Sequence, residues 1–247
     1  MIGQNSVRGI SCGFFALTLT AALPFVSGCG DGGGGGSFTP AEKAEVDKYI
    51  KEHGREAIGK YLKDKGGDEK RDLKYIKHFV SKGADVNTEV LLRYLGNAEN
   101  GNINSEVIKF LISKGADVNA NVLSVYFLMV ENDNVDIEIV KLLVSKGADV
   151  NGRMILDDLT PLHCAASNGN VEAVKFLVSK GADMKAKVGG FDYTPLHCAA
   201  IEGNVEVVRL LVSKGADVNA KSHGDRTPAD VAEGANKDEI IRILRGQ

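Results

Sequence analysis

The stretch Ser213-Lys214-Gly215-Ala216-Asp217-Val218-Asn219 decides the fold, because closely similar heptads occur five times in the chain. The four earlier copies occupy residues 81–87, 113–119, 145–151 and 179–185. The central glycines fall at positions 83, 115, 147, 181 and 215, so the steps are 32, 32, 34 and 34 residues. A fixed period of this size indicates a solenoid of stacked repeats.

Each heptad has the chemistry of a helix end. Apolar residues at helical spacing precede it, as in Val207-Val208-Arg209-Leu210-Leu211-Val212 before the last copy. Glycine adopts a positive φ without a Cβ clash, so we expect it to end the helix. The aspartate that follows can accept hydrogen bonds from nearby backbone N–H groups, and the valine returns the chain to the core.

A second signature lies upstream of the later heptads. It reads Thr160-Pro161-Leu162-His163-Cys164-Ala165-Ala166 and then Thr194-Pro195-Leu196-His197-Cys198-Ala199-Ala200. Threonine is a good N-cap, and proline at the first helical position loses no hydrogen bond, so each string predicts a helix start. Together with the heptads and the period of about 33 residues, these strings resemble the ankyrin repeat, a β-turn finger followed by two antiparallel helices.

The resemblance covers about residues 55–247 and is strongest over 152–233. It implies an all-α fold with short β-finger turns, arranged as a solenoid of about six stacked helix pairs. The repeats are predicted at about 55–87, 88–119, 120–151, 152–185, 186–219 and 220–247. Thr39-Pro40-Ala41-Glu42 has the form of a capping box, so we expect an extra N-terminal helix that covers the apolar end of the stack. Ala41, Val46, Tyr49, Ile50 and His53 fall near one face of that helix.

Repeats two and three depart from the family pattern. Neither contains Thr-Pro-Leu-His, and an apolar helical run follows the heptad almost at once. We therefore predict that both lack a normal finger and carry long, Asn-rich turns between their helices, at residues 96–105 and 131–136. Normal fingers are expected at 152–159, 186–193 and 220–226. In the last repeat Asp230 replaces the histidine and a polar tail follows, which is typical of a C-terminal cap.

The first 28 residues differ from the rest, because Arg8 is their only charge and residues 10–26 are nearly all apolar or small. This pattern predicts a signal peptide. Val26-Ser27-Gly28-Cys29 resembles a bacterial lipobox, which implies that Cys29 is lipidated and that residues 29–37 tether the folded domain, residues 38–247. An ordinary signal peptide that is cleaved conventionally is the alternative. We expect an exported protein of the bacterial cell envelope, lipid-anchored and periplasmic or at the cell surface.

No motif in the chain indicates catalysis or a cofactor. His163-Cys164 and His197-Cys198 contain metal-ligand types, but adjacent side chains on a helix point about 100° apart and cannot easily share one ion. The resemblance implies instead that each histidine bonds the capping threonine and that each cysteine faces the core. Residues 30–37 contain the letters G-x-G-x-x-G without a preceding strand, so we interpret them as a linker. With 30 basic and 33 acidic residues, nucleic acid is not expected as the main partner.

The resemblance implies that another protein binds to the finger tips and to the exposed side of the first helices. The finger residues selected by this carry-over are Asp157, Leu159, Phe191, Tyr193, Asp225 and Arg226. Second choices, directly after the Ala-Ala pairs, are Ser167, Asn168, Ile201 and Glu202. The alternative for Phe191 and Tyr193 is that they only pack their own hairpin.

We therefore expect a monomeric, membrane-anchored protein–protein interaction module with no metal, no cofactor and no enzymatic activity. The sequence leaves two alternatives open. One is an accessory protein that inhibits or shields a periplasmic enzyme, and the other is a host-directed effector that is secreted or surface-exposed.

Overall fold

The computed structural model describes residues 38–65, 69–96, 103–118, 121–130, 135–154 and 158–246. The predicted signal peptide, Cys29, the linker and Asp157 lie outside these ranges, as does most of the two predicted Asn-rich turns. The helices of the described part are α1 (Pro40–His53), α2 (Ala57–Lys65), α3 (Glu69–Ser81), α4 (Thr88–Gly96), α5 (Ser105–Ser113), α6 (Val122–Met129), α7 (Ile137–Ser145), α8 (Pro161–Ser167), α9 (Val171–Ser179), α10 (Pro195–Ile201), α11 (Val205–Ser213), α12 (Pro228–Val231) and α13 (Lys237–Leu244).

From α2 onward these helices follow one another as six pairs within the described ranges. The first helices of successive pairs, from α2 to α12, stack on one another, and so do the second helices, from α3 to α13. The apolar side chains between the two rows form one core that runs from Val46 to Leu244. The predicted all-α solenoid of six helix pairs is confirmed.

The additional helix α1 covers the first pair and packs against both α2 and α3. It begins in the predicted capping box, because the Thr39 hydroxyl accepts the Glu42 N–H at 3.2 Å and the Thr39 N–H donates to the Glu42 carboxylate at 2.7 Å. On the face predicted to pack, Val46 is buried and Tyr49 is partly buried. Ala41 is exposed, so the packed face of α1 does not include this first predicted residue.

The heptads end the second helices as predicted. The five glycines have φ between 86° and 101°. At the last copy, the Gly215 N–H donates to the Val212 carbonyl at 2.9 Å, and the Asp217 carboxylate accepts the Asn219 N–H at 2.9 Å. Positive φ is strained for residues with a Cβ, so glycine is required at this point of each repeat.

The fingers differ between the two halves of the chain. In repeat two, α4 begins at Thr88, directly after the heptad, so no finger precedes it, as predicted. In repeat five, Val188 and Tyr193 form an antiparallel bridge with N–H···O distances of 3.0 and 3.2 Å. In repeat six the Ser222 N–H donates to the Arg226 carbonyl at 3.0 Å.

Candidate partner-binding face

The finger of repeat five is held by a histidine of the preceding repeat. His163, fully buried at the start of α8, has its Nε2 3.1 Å from the carbonyl oxygen of Tyr193 and its Nδ1 2.7 Å from the Thr160 hydroxyl. A carbonyl can only accept, so Nε2 carries the hydrogen and Nδ1 of the neutral ring accepts from the hydroxyl. One imidazole thus joins its own helix start to the next finger.

His197 repeats this arrangement one unit later. Its Nε2 lies 3.1 Å from the Arg226 carbonyl oxygen in the finger of repeat six. Its Nδ1 accepts the Thr194 backbone N–H at 3.2 Å. The predicted bond between the histidine and the capping threonine is therefore present in both Thr-Pro-Leu-His motifs, and the second link, to the next finger, extends it.

Burial keeps the two imidazoles and the Cys164 thiol in their neutral forms. It lowers the pKa of His163 to about 4, and it also lowers the pKa of His197. Burial raises the pKa of the Cys164 thiol to about 12, so no thiolate forms at neutral pH for metal binding or nucleophilic attack. Cys198 is buried as well, in keeping with the core position that the resemblance implies. In the part of the chain that the structure describes, no group of three or more His, Cys, Asp or Glu side chains could hold a metal ion.

Two other residues take the place of the histidine, each for a local reason. In repeat three the buried Ser124 hydroxyl donates to the Gly152 carbonyl at 3.1 Å, so a short side chain still reaches the finger of repeat four. In repeat six the Asp230 carboxylate accepts from both the backbone N–H and the hydroxyl of Thr227. Sequence reasoning missed Ser124, because its repeat carries no Thr-Pro-Leu-His string to set the alignment.

Neighbouring fingers are also bonded to one another at their outer edges. The Arg153 guanidinium donates to the Lys187 carbonyl at 3.2 Å, and the Lys187 ammonium donates to the Lys221 carbonyl at 2.8 Å. The His223 backbone N–H donates to the Phe191 carbonyl at 2.7 Å. The fingers of repeats four to six therefore form one continuous row.

The aromatic residues of finger five have unequal exposure. Phe191 is 40% exposed and stacks on Tyr193, with ring centroids 5.5 Å apart. Tyr193 is only 5% exposed, because it stacks on His197 and its hydroxyl accepts a hydrogen bond from Arg226 at 2.8 Å. Tyr193 therefore packs within the fold, as the alternative for these two residues describes. Phe191 packs on Tyr193 and also presents part of its ring to solvent.

The remaining predicted contact residues also differ in exposure, and three of them are buried. Leu159 is 4% exposed, and Ser167 and Asn168 are also buried. The Asn168 amide donates to the Phe127 carbonyl at 2.8 Å, which uses it to join repeats three and four. These three residues line a small pocket with Phe127, Leu128 and Cys164. They present little surface to a partner.

The predicted residues that do reach the surface lie near the ends of the first helices, two before α12 and two at the end of α10. Asp225 and Arg226 are exposed on finger six, and Ile201 and Glu202 are half-buried at the end of α10. The structure brings Arg226 close to the Phe191 finger through its bond to Tyr193. Sequence reasoning missed that Val125, Leu128 and Met129 of α6 are half-buried apolar residues. The run of five non-polar and aromatic residues after Ser124, at 125–129, is the signal that could have found them.

Among the residues that the structure describes, no helix combines the length and the apolar character needed to cross a membrane. The family model for ankyrin repeats (3 copies) matches residues 95–188, 127–222 and 184–247, which together span more than half of the 247 residues. No curated protein matched the chain. The chain, with its paired helices, its helix-ending glycines and its histidine-held fingers, belongs to the ankyrin-repeat family.

Proposed function

We propose that this protein is a membrane-anchored module that binds another protein on the finger row of repeats four to six and performs no catalysis. Ankyrin repeats form protein–protein interaction modules, and this chain contains them. The observation that carries the finer proposal is the exposed ring of Phe191 at the tip of a finger that several bonds hold in place.

Phe191 has the properties of a binding anchor. Aromatic side chains contribute a large share of the binding energy at protein interfaces. Its ring is already ordered by the stack on Tyr193, and its carbonyl accepts the His223 N–H of finger six. Bonds from His163 to Tyr193 and from Arg153 to Lys187 join the same finger to repeat four. A partner would therefore lose little conformational entropy on this side of the interface when it covers the ring.

Charged groups of both signs surround this apolar tip. Lys187 and Asp192 form an ion pair of 3.8 Å on the same finger, and Asp225 and Arg226 are exposed on the next one. An apolar centre with a polar rim is the usual anatomy of a protein interface. We propose that the partner is a protein rather than a nucleic acid, and that the module acts as a monomer.

The anchor part of the proposal rests on the sequence of the N-terminal segment. Val26-Ser27-Gly28-Cys29 stands where an apolar run ends and a Gly-rich stretch begins. Two or more acyl chains on Cys29 would hold the protein stably on a membrane, since a single chain gives only marginal binding. The Gly-rich stretch would then let the solenoid reach a partner at a distance.

A photo-crosslinking amino acid placed in the full-length chain in bacterial cells tests the binding face. Position 191 is compared with position 171, because Val171 is 39% exposed and lies at the start of α9, outside the finger row. We expect a discrete crosslinked protein from position 191 and none from position 171. Equal products from both positions, or none from position 191, would remove the finger row as the binding face.

A further inference from the structure

The fingers of repeats five and six are each linked to the preceding repeat by a buried imidazole. His163 of α8 reaches the Tyr193 carbonyl, and His197 of α10 reaches the Arg226 carbonyl, both at 3.1 Å. These carbonyls belong to the last residues of the two predicted fingers. Each link therefore acts at the point where the finger returns to its own helix.

The neutral imidazole with its hydrogen on Nε2 satisfies these contacts. Nε2 donates to a carbonyl, while Nδ1 lies 2.7 Å from the Thr160 hydroxyl in one motif and 2.8 Å from the Thr194 hydroxyl in the other. A second proton on Nδ1 would require each hydroxyl to rotate and accept it. At His197 that proton would also face the Thr194 backbone N–H at 3.2 Å, a donor that cannot rotate.

The charged groups around the two rings mostly oppose a further positive charge. Arg153 and Asp183 act on His163, the first against protonation and the second in favour of it. Lys187 and Arg226 act on His197, and both oppose protonation. Burial is the largest cause of the lowered pKa of each histidine, so a protonated ring is stabilised when its finger moves away and water reaches it.

The other links along the solenoid have different chemistry. Ser124 joins repeat three to the finger of repeat four through a hydroxyl, which does not titrate in this range. Of the five histidines in the sequence, His53 and His78 lie in or against the N-terminal cap, and His223 is exposed on finger six. The described repeats two and three contain no histidine.

We propose that the fingers of repeats five and six are an acid-sensitive unit, which leaves helices α8 and α10 when His163 and His197 take up protons, while the helix pairs of repeats two and three stay folded. The step needs only protons from the solvent: each ring gains one at Nδ1 and becomes a cation. This release does not depend on which partner binds. If the proposed function holds, the Phe191 contact is lost with it.

The direction in pH follows from the neutral rings. A histidine whose pKa is lowered by folding stabilises the native state fully above its ordinary value of about 6.5, and that contribution is lost as the pH falls toward the folded value. For His163 the loss is therefore expected between about pH 6.5 and pH 4. The same direction holds for His197.

Hydrogen exchange on the full-length protein in detergent tests the inference, with rates corrected for the intrinsic effect of pH. We expect peptides covering residues 186–193 and 220–226 to lose about tenfold or more protection between about pH 7 and pH 4. Peptides covering α5 and α7 should change little. Fingers that stay protected at the lower pH, or that lose protection together with α5 and α7, would overturn the proposal.

Glutamine variants separate the histidines from the carboxylates that titrate in the same range. His163→Gln and His197→Gln keep an acceptor and a donor but carry no titratable proton, and His223→Gln is the matched control. The acid step should shrink in the first two variants and persist in the control. An undiminished step in both overturns the proposal.

NMR titration of the imidazole signals in the unmodified protein keeps the test open if the glutamine variants do not fold. The pKa values of two histidines should lie below the ordinary value, with midpoints that match the loss of finger protection. Titration of all five near the ordinary value, with no change in finger exchange, contradicts the inference.

Discussion

The hydroxyl of Tyr126 accepts the backbone N–H of Asp136 at 3.0 Å and so holds the start of α7 against α6. Tyr94 and Asn104 repeat this relationship at 3.0 Å in the preceding unit. In regular repeat four the corresponding N–H, that of Asn170, donates instead to the Ala165 carbonyl at 3.1 Å. In repeats two and three, where the segment between the helices is longer, a buried tyrosine thus supplies the acceptor that the backbone supplies elsewhere.

Tyr126→Phe tests this replacement. Burial raises the pKa of Tyr126 to about 12, so the hydroxyl is present at neutral pH and its loss leaves the Asp136 N–H without that acceptor. We expect unfolding free energy to fall by about 1–2 kcal/mol. The amide of Asp136 should also exchange faster, while that of Asn170 is the internal control. Equal rates for Asp136 in both proteins would show that the hydroxyl does not hold the helix start.

Gly169→Ala should destabilise the protein more than Gly203→Ala. Both glycines have positive φ, 70° and 75°, so both substitutions carry the same backbone strain, about 1 kcal/mol. A Cβ at position 169 would lie 2.9 Å from the Asn204 side-chain oxygen, whereas at position 203 the nearest atom is 3.7 Å away. Asn204 donates to the Ala166 and Ser167 carbonyls, and moving it breaks both bonds. Urea denaturation of the two variants measures the difference, and equal losses would refute the role of Asn204.

Phe191→Ala should weaken binding of the crosslinked partner by about 1–2 kcal/mol or more, because an exposed aromatic anchor is removed. Folding stability should fall by about 1 kcal/mol or less, because the ring is 40% exposed and only its stack on Tyr193 is lost. Val171→Ala, at nearly equal exposure, is the control for both measurements. The contrary outcome is that Phe191→Ala leaves the affinity unchanged, while the double variant Asn100→Ala with Asn132→Ala lowers it. The partner would then bind at the Asn-rich turns of repeats two and three.

Cys29→Ala tests the anchor. The variant should fold normally but move from the membrane fraction to the soluble fraction, because the acyl chains that the lipobox implies can no longer be attached. Ser27→Thr, a small change beside the cysteine, controls for effects on export. A variant that stays on the membrane to the same extent contradicts lipidation at this position.

The N-terminal cap should weaken in acid through Glu42. A hydrogen bond from Lys74, at 2.9 Å, is the largest cause that lowers the pKa of Glu42 to about 2. A carboxylate with a lowered pKa stabilises the fold above its ordinary value, and this contribution is lost as the pH falls toward 2. The amides of α1 should therefore be better protected in the unmodified protein than in Glu42→Gln at neutral pH, and the two should converge at low pH. A constant difference would exclude this ion pair as the cause.

The helix ends could be predicted because their cause is local. A glycine at positive φ and an aspartate that accepts the N–H two residues later act within one heptad, and the chain repeats that heptad five times. The same is true of the capping boxes at Thr39 and Thr194. The residues that form each helix end or capping box lie within a few positions of one another, so they can be recognised in a single sequence.

The burial of Tyr193 and Leu159 could not be predicted in this way, because it depends on contacts between repeats. Arg226 comes from the next unit to bind the Tyr193 hydroxyl, and Ser124 comes from the preceding one to meet the finger of repeat four. Asp225, chosen as a contact residue, has φ 58°, as its counterparts Asp158 and Asp192 have 54° and 56°. Aspartate tolerates this conformation better than most residues, which gives its recurrence a backbone reason that the sequence alone did not reveal.

Asp230 closes its capping box onto Thr227, whereas His163 and His197 each also bond the finger of the following repeat. Gene duplication can therefore add whole units between the histidine-bearing repeats without breaking these links. A second copy of the 34 residues 186–219, inserted before residue 220, would offer its own histidine to finger six and its own finger to His197. A unit inserted directly after a repeat with aspartate at this position would lack the histidine that holds its finger.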